Sequence, residues 1–391
     1  MTIRSPYKRH SWWRSQASRG LLYQALLLSL CLAGVWYLAH NTLLNMSARG
    51  IQSGWDFLND AAGFDIGESV VSYDALDPYW KAFLVGVFNT LRVAVIGVVA
   101  ATVLGTLLGV GRFSHNAIVR GFCYGYVELF RNVPVLLQLL MWYLLLTEAL
   151  PSLDQAISFG SIAWLSKSGL ILPVPVWEFG HATAGIGMVI GLVAASLYRR
   201  EAHQHFEASG RQHSMVWLPM AIVAFGGLAG WLVGGAPSTW SIPTVDGFVM
   251  NGGASVTPEF LGVLLGLVLY TAAFIAEVVR SGLNAVAHGQ SEAAASLGLN
   301  RRQAIRLVVL PQAMRVIIPP ITSQYLNLTK NSSLAVAIGY PDIVSVANTT
   351  LNQTGRAVEC VAIIMAVYLT MSLATSTFMN WYNRRAAIKE R

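Results

Sequence analysis

The chain has 391 residues, 54% of them hydrophobic and 12% charged, with a mean hydropathy of +0.53. A soluble domain carries about 25% charged residues, so the composition excludes an ordinary soluble protein and indicates an all-α polytopic membrane protein. The net charge of +7 fits Lys and Arg retained at the cytoplasmic ends of spans better than a nucleic-acid footprint, and no nucleic acid is expected as a partner. Cys31, Cys123 and Cys360 lie in or beside apolar runs without metal-ligand spacing and read as small core residues.

Residues 1–19 are basic, with Arg4, Lys8, Arg9, Arg14 and Arg19. The apolar run within 20–40 is long for a signal core and no small-x-small cleavage site follows it. It reads as an extra first span with the N-terminus inside. Leu30 is too bulky for Cys31 to be a lipoprotein site. Residues 41–83 hold Asp56, Asp60, Asp65, Glu68, Asp74 and Asp77 against Arg49 and Lys81, which suits the outer face. The span 84–110 places Gly97, Ala101, Gly105 and Gly109 every fourth residue, a stripe that lets helices pack closely in lipid. Arg112 and Arg120 flank a short inner loop, and 121–149 then reads as one outward span carrying Glu128, Arg131, Asn132 and Pro134.

Residues 150–258 form an insertion. An outer loop runs to 181, a span over 182–197 ends at Arg199 and Arg200, and an inner loop carries His203, His205 and His213 without the cysteines or carboxylates a metal site needs. Another span covers 215–235, and 236–258, whose single charge is Asp246, lies outside. The span 260–280 leads inward to a polar, basic stretch, Ser281 to Pro311. Residues 313–340 make a poor plain span, because Pro319 and Pro320 interrupt them and Gln324, Asn327, Lys330 and Asn331 are polar. They read as an irregular or kinked segment that lines a cavity, since broken backbone at membrane depth survives only there. The last span covers 358–382 and ends in Arg384, Arg385, Lys389 and Arg391.

In this eight-span layout, 19 of the 26 Lys and Arg fall in proposed inner segments and four, Arg49, Lys81, Lys167 and Arg356, in outer ones. That excess has the sign of the positive-inside rule, and it sets both termini and the loop 281–311 in the cytoplasm. Within that loop the sequence predicts a short helix, Glu292 to Leu297, stopped at Gly298, a residue that readily takes the left-handed conformation after a helix. Ala293, Ala294 and Ala295 would give it a small-residue face open to a partner, and Arg301, Arg302 and Arg306 follow.

The spacing Glu292-Ala293-Ala294, three residues, Gly298, nine residues, Val308, one residue, Leu310-Pro311 resembles the cytoplasmic coupling loop of ABC importer permeases, with Val308 where that family usually has Ile. The phrases NTLRVAVIG (89–97), YVELFRNVPVLLQL (126–139), LYTAAFIAEVVRSGL (269–283) and YLNLTKNSSLAVAIG (325–339) are similar to the polar amino-acid branch, and the chain looks like a general L-amino acid permease subunit. The resemblance implies a type I importer core of five helices within 84–382, interrupted by the insertion. It implies a coupling role for Glu292, Ala293, Ala294, Gly298, Arg301, Leu310 and Pro311. It also implies two cytoplasmic ABC ATPase subunits, a second and paralogous permease, and a periplasmic amino-acid-binding protein, all in a bacterial inner membrane. ATP and Mg would sit on the ATPases, and this chain needs no cofactor of its own. None of the lysines at 8, 81, 167, 330 and 389 is preceded by glycine, so the phosphate-cradling motif is absent and the chain is not expected to be an enzyme.

A charge at mid-bilayer costs about 3 kcal/mol on insertion scales, so Arg92, Arg131, Glu277 and Lys330 are expected to face protein or water. With Asn89, Asn132, Asn327, Asn331 and Ser332 they are the candidates for a substrate path, the alternative being structural ion pairs. A secondary amino-acid transporter driven by an ion gradient is the rival reading. Broken helices suit it, but it gives the coupling-loop spacing no task.

Overall fold

The computed structural model describes residues 16–386 except 49, 51, 52, 161, 210–213, 215, 247 and 248. Arg4, Lys8, Arg9, Arg14, Arg49, Arg211, His213, Lys389 and Arg391 lie outside the described residues. Six described helices are long and apolar enough to cross a bilayer, and a bent helix pair would make a seventh. A further apolar helix, α6, has 17 residues. The chain divides into two compact units, 1–95 with 285–391 and 96–284.

In the first unit, α1 (Gln16–Ala48) is apolar and exposed along most of its length, as a helix bathed in lipid is. The acidic stretch after it is folded. A 3-10 turn at Asp56–Asn59 sinks Phe57 into a core with Ala62, Tyr79, Ala82, Phe83, Ile343, Val346, Ala347 and Cys360. The amide of Tyr79 donates to the Asp60 carbonyl at 3.0 Å, which fixes the start of α2 (Tyr79–Gly111). The unit boundary falls within α2, at residues 95 and 96.

The same unit holds α8 (His288–Ser296), α9 (Arg301–Ala304), a π turn Ile305–Val309, α10 (Leu310–Asn331), a 3-10 segment Ser332–Ile338, α11 (Ile343–Thr354) and α12 (Ala357–Ala386). The expected break at Pro319 and Pro320 is corrected, because both lie inside α10. Two adjacent prolines remove two neighbouring amides and free two carbonyls at one level, which a helix can survive where neighbours support it. The irregular backbone instead flanks α10, as the π turn before it and the 3-10 segment after it. Asp342 caps α11 by accepting from the Ser345 amide at 2.9 Å, and Gly355, at φ 70°, ends it.

In the second unit, 121–149 is two helices rather than one span: α3 (Ala117–Asn132) and α4 (Val135–Leu144, continued by a π turn to Ala149), bent by 105°. Pro134 has no amide, and it drives Val133 to extended backbone at φ −102°, ψ 129°. The buried side chain of Gln138 donates to the Phe130 and Val133 carbonyls at 2.9 Å each, supplying partners that the break withdraws. Cys123 and Val127 of α3 pack with Leu108, Ala272 and Ala276. The stripe on α2 meets α7 (Pro258–Asn284) directly: a Cβ on Gly105 would lie 2.7 Å from the Ala272 carbonyl, and one on Gly109 would lie 2.8 Å from that of Ala276.

The insertion contains α5 (Phe179–Ser209) and α6 (Trp217–Val233), so His203 and His205 belong to a helix rather than an inner loop. Its flanks, expected to be loops, carry short strands. Strands 157–159, 163–166, 169–172 and 254–256 form a four-stranded antiparallel sheet, and two further strand pairs lie in the same flanks. The all-helical reading holds for the membrane part and misses this collar.

Candidate functional site

The coupling stretch is helical as far as Ser296 and starts one turn earlier than expected, at His288. Its end is a Schellman motif: the Leu299 amide donates to the Ala294 carbonyl at 3.1 Å and the Gly298 amide to that of Ala295 at 2.9 Å. Gly298 sits at φ +76°, the left-handed region that favours glycine. Asn300 then begins α9 with a capping box, accepting from the Gln303 amide at 2.9 Å while the Gln303 side chain accepts from the Asn300 amide at 3.0 Å. Arg301 is exposed at the first position of α9, and Leu310 and Pro311 open α10.

The three alanines do not form one open face. Ala294 is only 2% exposed, because successive helical residues turn through about 100° and the chain's own fold covers that side. The open surface of α8 and its cap is Glu292, Ala293, Ala295, Ser296 and Leu297, the last 82% exposed. Glu292 pairs across the helix surface with His288 at 3.1 Å.

The candidate path residues are scattered through four settings. Asn89 is fully buried, its amide donating to the Glu68 and Pro341 carbonyls at 2.8 and 2.9 Å. Arg92 is paired with Glu68. Thr90, which sequence reasoning passed over, donates to the Gly86 carbonyl at 2.8 Å and accepts from the Ile343 amide at 3.1 Å. Tyr340 donates to the Asn89 carbonyl at 3.2 Å. These bonds tie α2 to the entry of α11. Burial raises the carboxyl of Asp342, at that entry, to about 7 from its usual range.

Arg131 and Glu277 are brought together, joined by Arg112 and Arg280. Asn132 turns back on its own helix, donating to the Glu128 carbonyl at 2.7 Å. On α10, Asn327 and Lys330 are exposed, Gln324 and Asn331 half-buried, and Ser332, just beyond its end, is buried with its hydroxyl donating to the Thr329 carbonyl at 2.7 Å. Gln324, Asn327 and Asn331 follow i, i+3, i+7 and so share one face of the helix.

Comparison with known proteins places this layout. Residues 213–388 match the family described as the binding-protein-dependent transport system inner membrane component. The chain is 45% identical to the general L-amino acid transport system permease protein AapQ of Rhizobium johnstonii, over 95% of this chain and 93% of that one. It is 44% identical to the putative amino-acid ABC transporter permease protein YhdX of Escherichia coli, over 99% of both. It is 37% identical to the glutamate/glutamine/aspartate/asparagine transport system permease protein BztB of Rhodobacter capsulatus, over 95% of both. A crystal structure of an amino acid ABC transporter aligns at 20% identity over 78% of this chain and 95% of its own, with a TM-score of 0.46, too loose to bear on packing. The rival reading as an ion-driven secondary transporter gives way to these matches. Spanned end to end by such relatives, the chain belongs to the inner membrane components of binding-protein-dependent transport systems, the permease subunits of ABC importers.

Proposed function

We propose that this permease subunit carries L-amino acids, received from a periplasmic binding protein, across a bacterial inner membrane by alternating access. The names of its full-length relatives support that cargo class. In this reading two ABC ATPases, which hold the ATP and Mg, sit beneath the loop 281–311 in the cytoplasm, and a paralogous permease completes the passage. The excess of Lys and Arg in the segments assigned inside supports that orientation of loop and termini.

The observation that carries the mechanism is the form of α8. It is a short helix with an exposed outer side, closed by a left-handed Gly298 and a capping box, and in the chain it lies between the long spans α7 and α10. An ATPase that closes on ATP would push this peg, and the rigid spans on either side of it in the chain would transmit the displacement. The polar face of α10 then has a place. Asn327 and Lys330, exposed on a membrane helix, avoid the cost of facing lipid if they line the passage. Lys330 would meet the carboxylate of the passing amino acid, with Asn327 and Asn331 hydrogen-bonding its polar groups.

The test is Glu292→Lys in the reconstituted transporter. Glu292 is exposed and pairs with His288 on its own helix, so the variant is expected to insert and assemble. ATP hydrolysis is then expected to continue while uptake falls at least tenfold. Uptake equal to the parent would remove α8 from the mechanism.

A further inference from the structure

Around Glu277 one carboxylate faces three guanidinium groups. Arg280 Nη2 lies 2.5 Å from it, Arg112 Nη1 2.6 Å and Arg131 Nη1 3.8 Å. Among the described residues no other carboxylate lies within ion-pairing distance of these arginines, so the cluster retains two positive charges beyond what Glu277 neutralises. A network built only to hold helices together would be expected to balance, because an uncompensated charge is costly to bury. Here the surplus is left open: the side chains of Arg131 and Arg280 are each 35% exposed, while that of Arg112 is 9% exposed.

The rings beside them hold the forks in place. The guanidinium of Arg131 lies over Phe274 at 5.4 Å and that of Arg112 over Tyr124 at 5.2 Å. A guanidinium carries five N–H donors, and a carboxylate shared three ways cannot engage them all. A stacked, partly exposed Arg131 beside an equally exposed Arg280, with donors to spare between them, is the chemistry that grips a phosphate.

Position along α7 suggests the source of that phosphate. The helix has 27 residues and ends at Asn284, close to 40 Å at about 1.5 Å per residue. The hydrocarbon core is about 30 Å thick, so with the helix centred Arg280 falls at about the edge of that core, beside the lipid headgroups, and Glu277 about one turn deeper. Basic pockets between membrane helices take acidic headgroups.

We propose that Arg131 and Arg280, framed by Arg112 and Glu277, form a binding site for a phosphate-bearing anion, and that the phosphate is a headgroup of an acidic phospholipid. This site shares no residue with the substrate path proposed on α10 and does not depend on it.

The test titrates the purified, assembled transporter with phosphatidylglycerol and, separately, phosphatidylcholine, counting retained lipid by native mass spectrometry. Phosphatidylglycerol is expected to be retained in preference to phosphatidylcholine. Arg280→Gln should weaken that retention about fivefold and the Arg131→Gln/Arg280→Gln pair correspondingly more, from the usual contribution of one basic residue at an acidic membrane surface. Arg120→Gln, which removes an exposed arginine bound to the Ser114 carbonyl, should change nothing. Should the double variant fail to assemble, Arg280→Gln alone decides, since Arg112 still holds Glu277. Full displacement of the lipid by equimolar inorganic phosphate would keep the anion site and assign it to soluble phosphate. Unchanged retention in Arg280→Gln, or displacement by an L-amino acid but not by phosphate, would overturn the proposal.

Discussion

Glu68, in the segment before α2, is only 8% exposed and its carboxylate is paired with Arg92, 24 residues further along the chain and about two-fifths of the way down α2. Removing the guanidinium takes from this buried carboxylate the ion-pair partner that Arg92 supplies. Arg92→Ala is therefore expected to destabilise the assembled transporter by about 1.5–3 kcal/mol, the usual contribution of a hydrogen bond to a charged group, read as an earlier thermal transition. Pairing it with Glu68→Gln should recover part of the loss, giving a measurable coupling in a double-mutant cycle. Strict additivity of the two changes would mean that the pair contributes nothing.

Asp342 gives a pH dependence of defined sign. Burial raises its carboxyl to about 7, against about 3.9 in an unfolded chain, so the folded state holds the proton more tightly. Its contribution is fully present below the unfolded value and is lost as pH rises through about 7. Stability measured in steps from pH 5 to pH 8 should fall with rising pH. Asp342→Asn keeps a capping side chain without the titration and should flatten the curve. The same slope in both proteins would sink the assignment.

The α2–α7 seam admits no side chain at Gly105, where a Cβ would lie 2.7 Å from both the Ala272 carbonyl and the Ile275 Cβ. Gly105→Leu should cost more than the roughly 1–3 kcal/mol typical of overpacking, because one of the clashing atoms is backbone. It should be seen as lost assembly or expression. Gly121→Leu, at a glycine of α3 whose would-be Cβ has nothing within 4 Å, is the control expected to behave as the parent.

Gly298 tests the coupling peg from its other end. At φ +76° a β-branched residue is strained, by about 1–2 kcal/mol for the left-handed conformation. Yet nothing lies within 4 Å of its would-be Cβ, so the strain acts on the loop and not on packing. Gly298→Val should leave membrane insertion intact and lower the ratio of uptake to ATP hydrolysis, measured together in proteoliposomes. An unchanged ratio would show that the cap geometry does not matter for coupling.

The long apolar runs were legible in the sequence because spans are composition written large, and the coupling loop because Gly298 and its neighbours have local causes. The bend at Val133 was legible too, in Pro134, but a continuous apolar count outweighed one breaker. What escaped reading was set by distance along the chain. The bonds from Asn89 and Thr90 reach Pro341 and Ile343 across 252 and 253 residues, and Arg112 finds Glu277 across 165. No local pattern marks such partners. The strands of the insertion, each two to four residues long, are too short to establish an alternation.

The hairpin inside that insertion closes on itself. Gly187 and Gly226 bring α5 and α6 so near that a Cβ on Gly187 would lie 2.1 Å from the Gly226 carbonyl. Directly outside the hairpin, Val174 pairs with Ser241 and Pro175 with Trp240. The polypeptide thus departs and returns through a single doorway whose jambs are hydrogen-bonded to each other. Whatever lies beyond such a threshold can be lengthened, trimmed or replaced by a reporter without shifting the rooms on the near side, which makes residues 176–239 the natural place to graft a label onto this transporter.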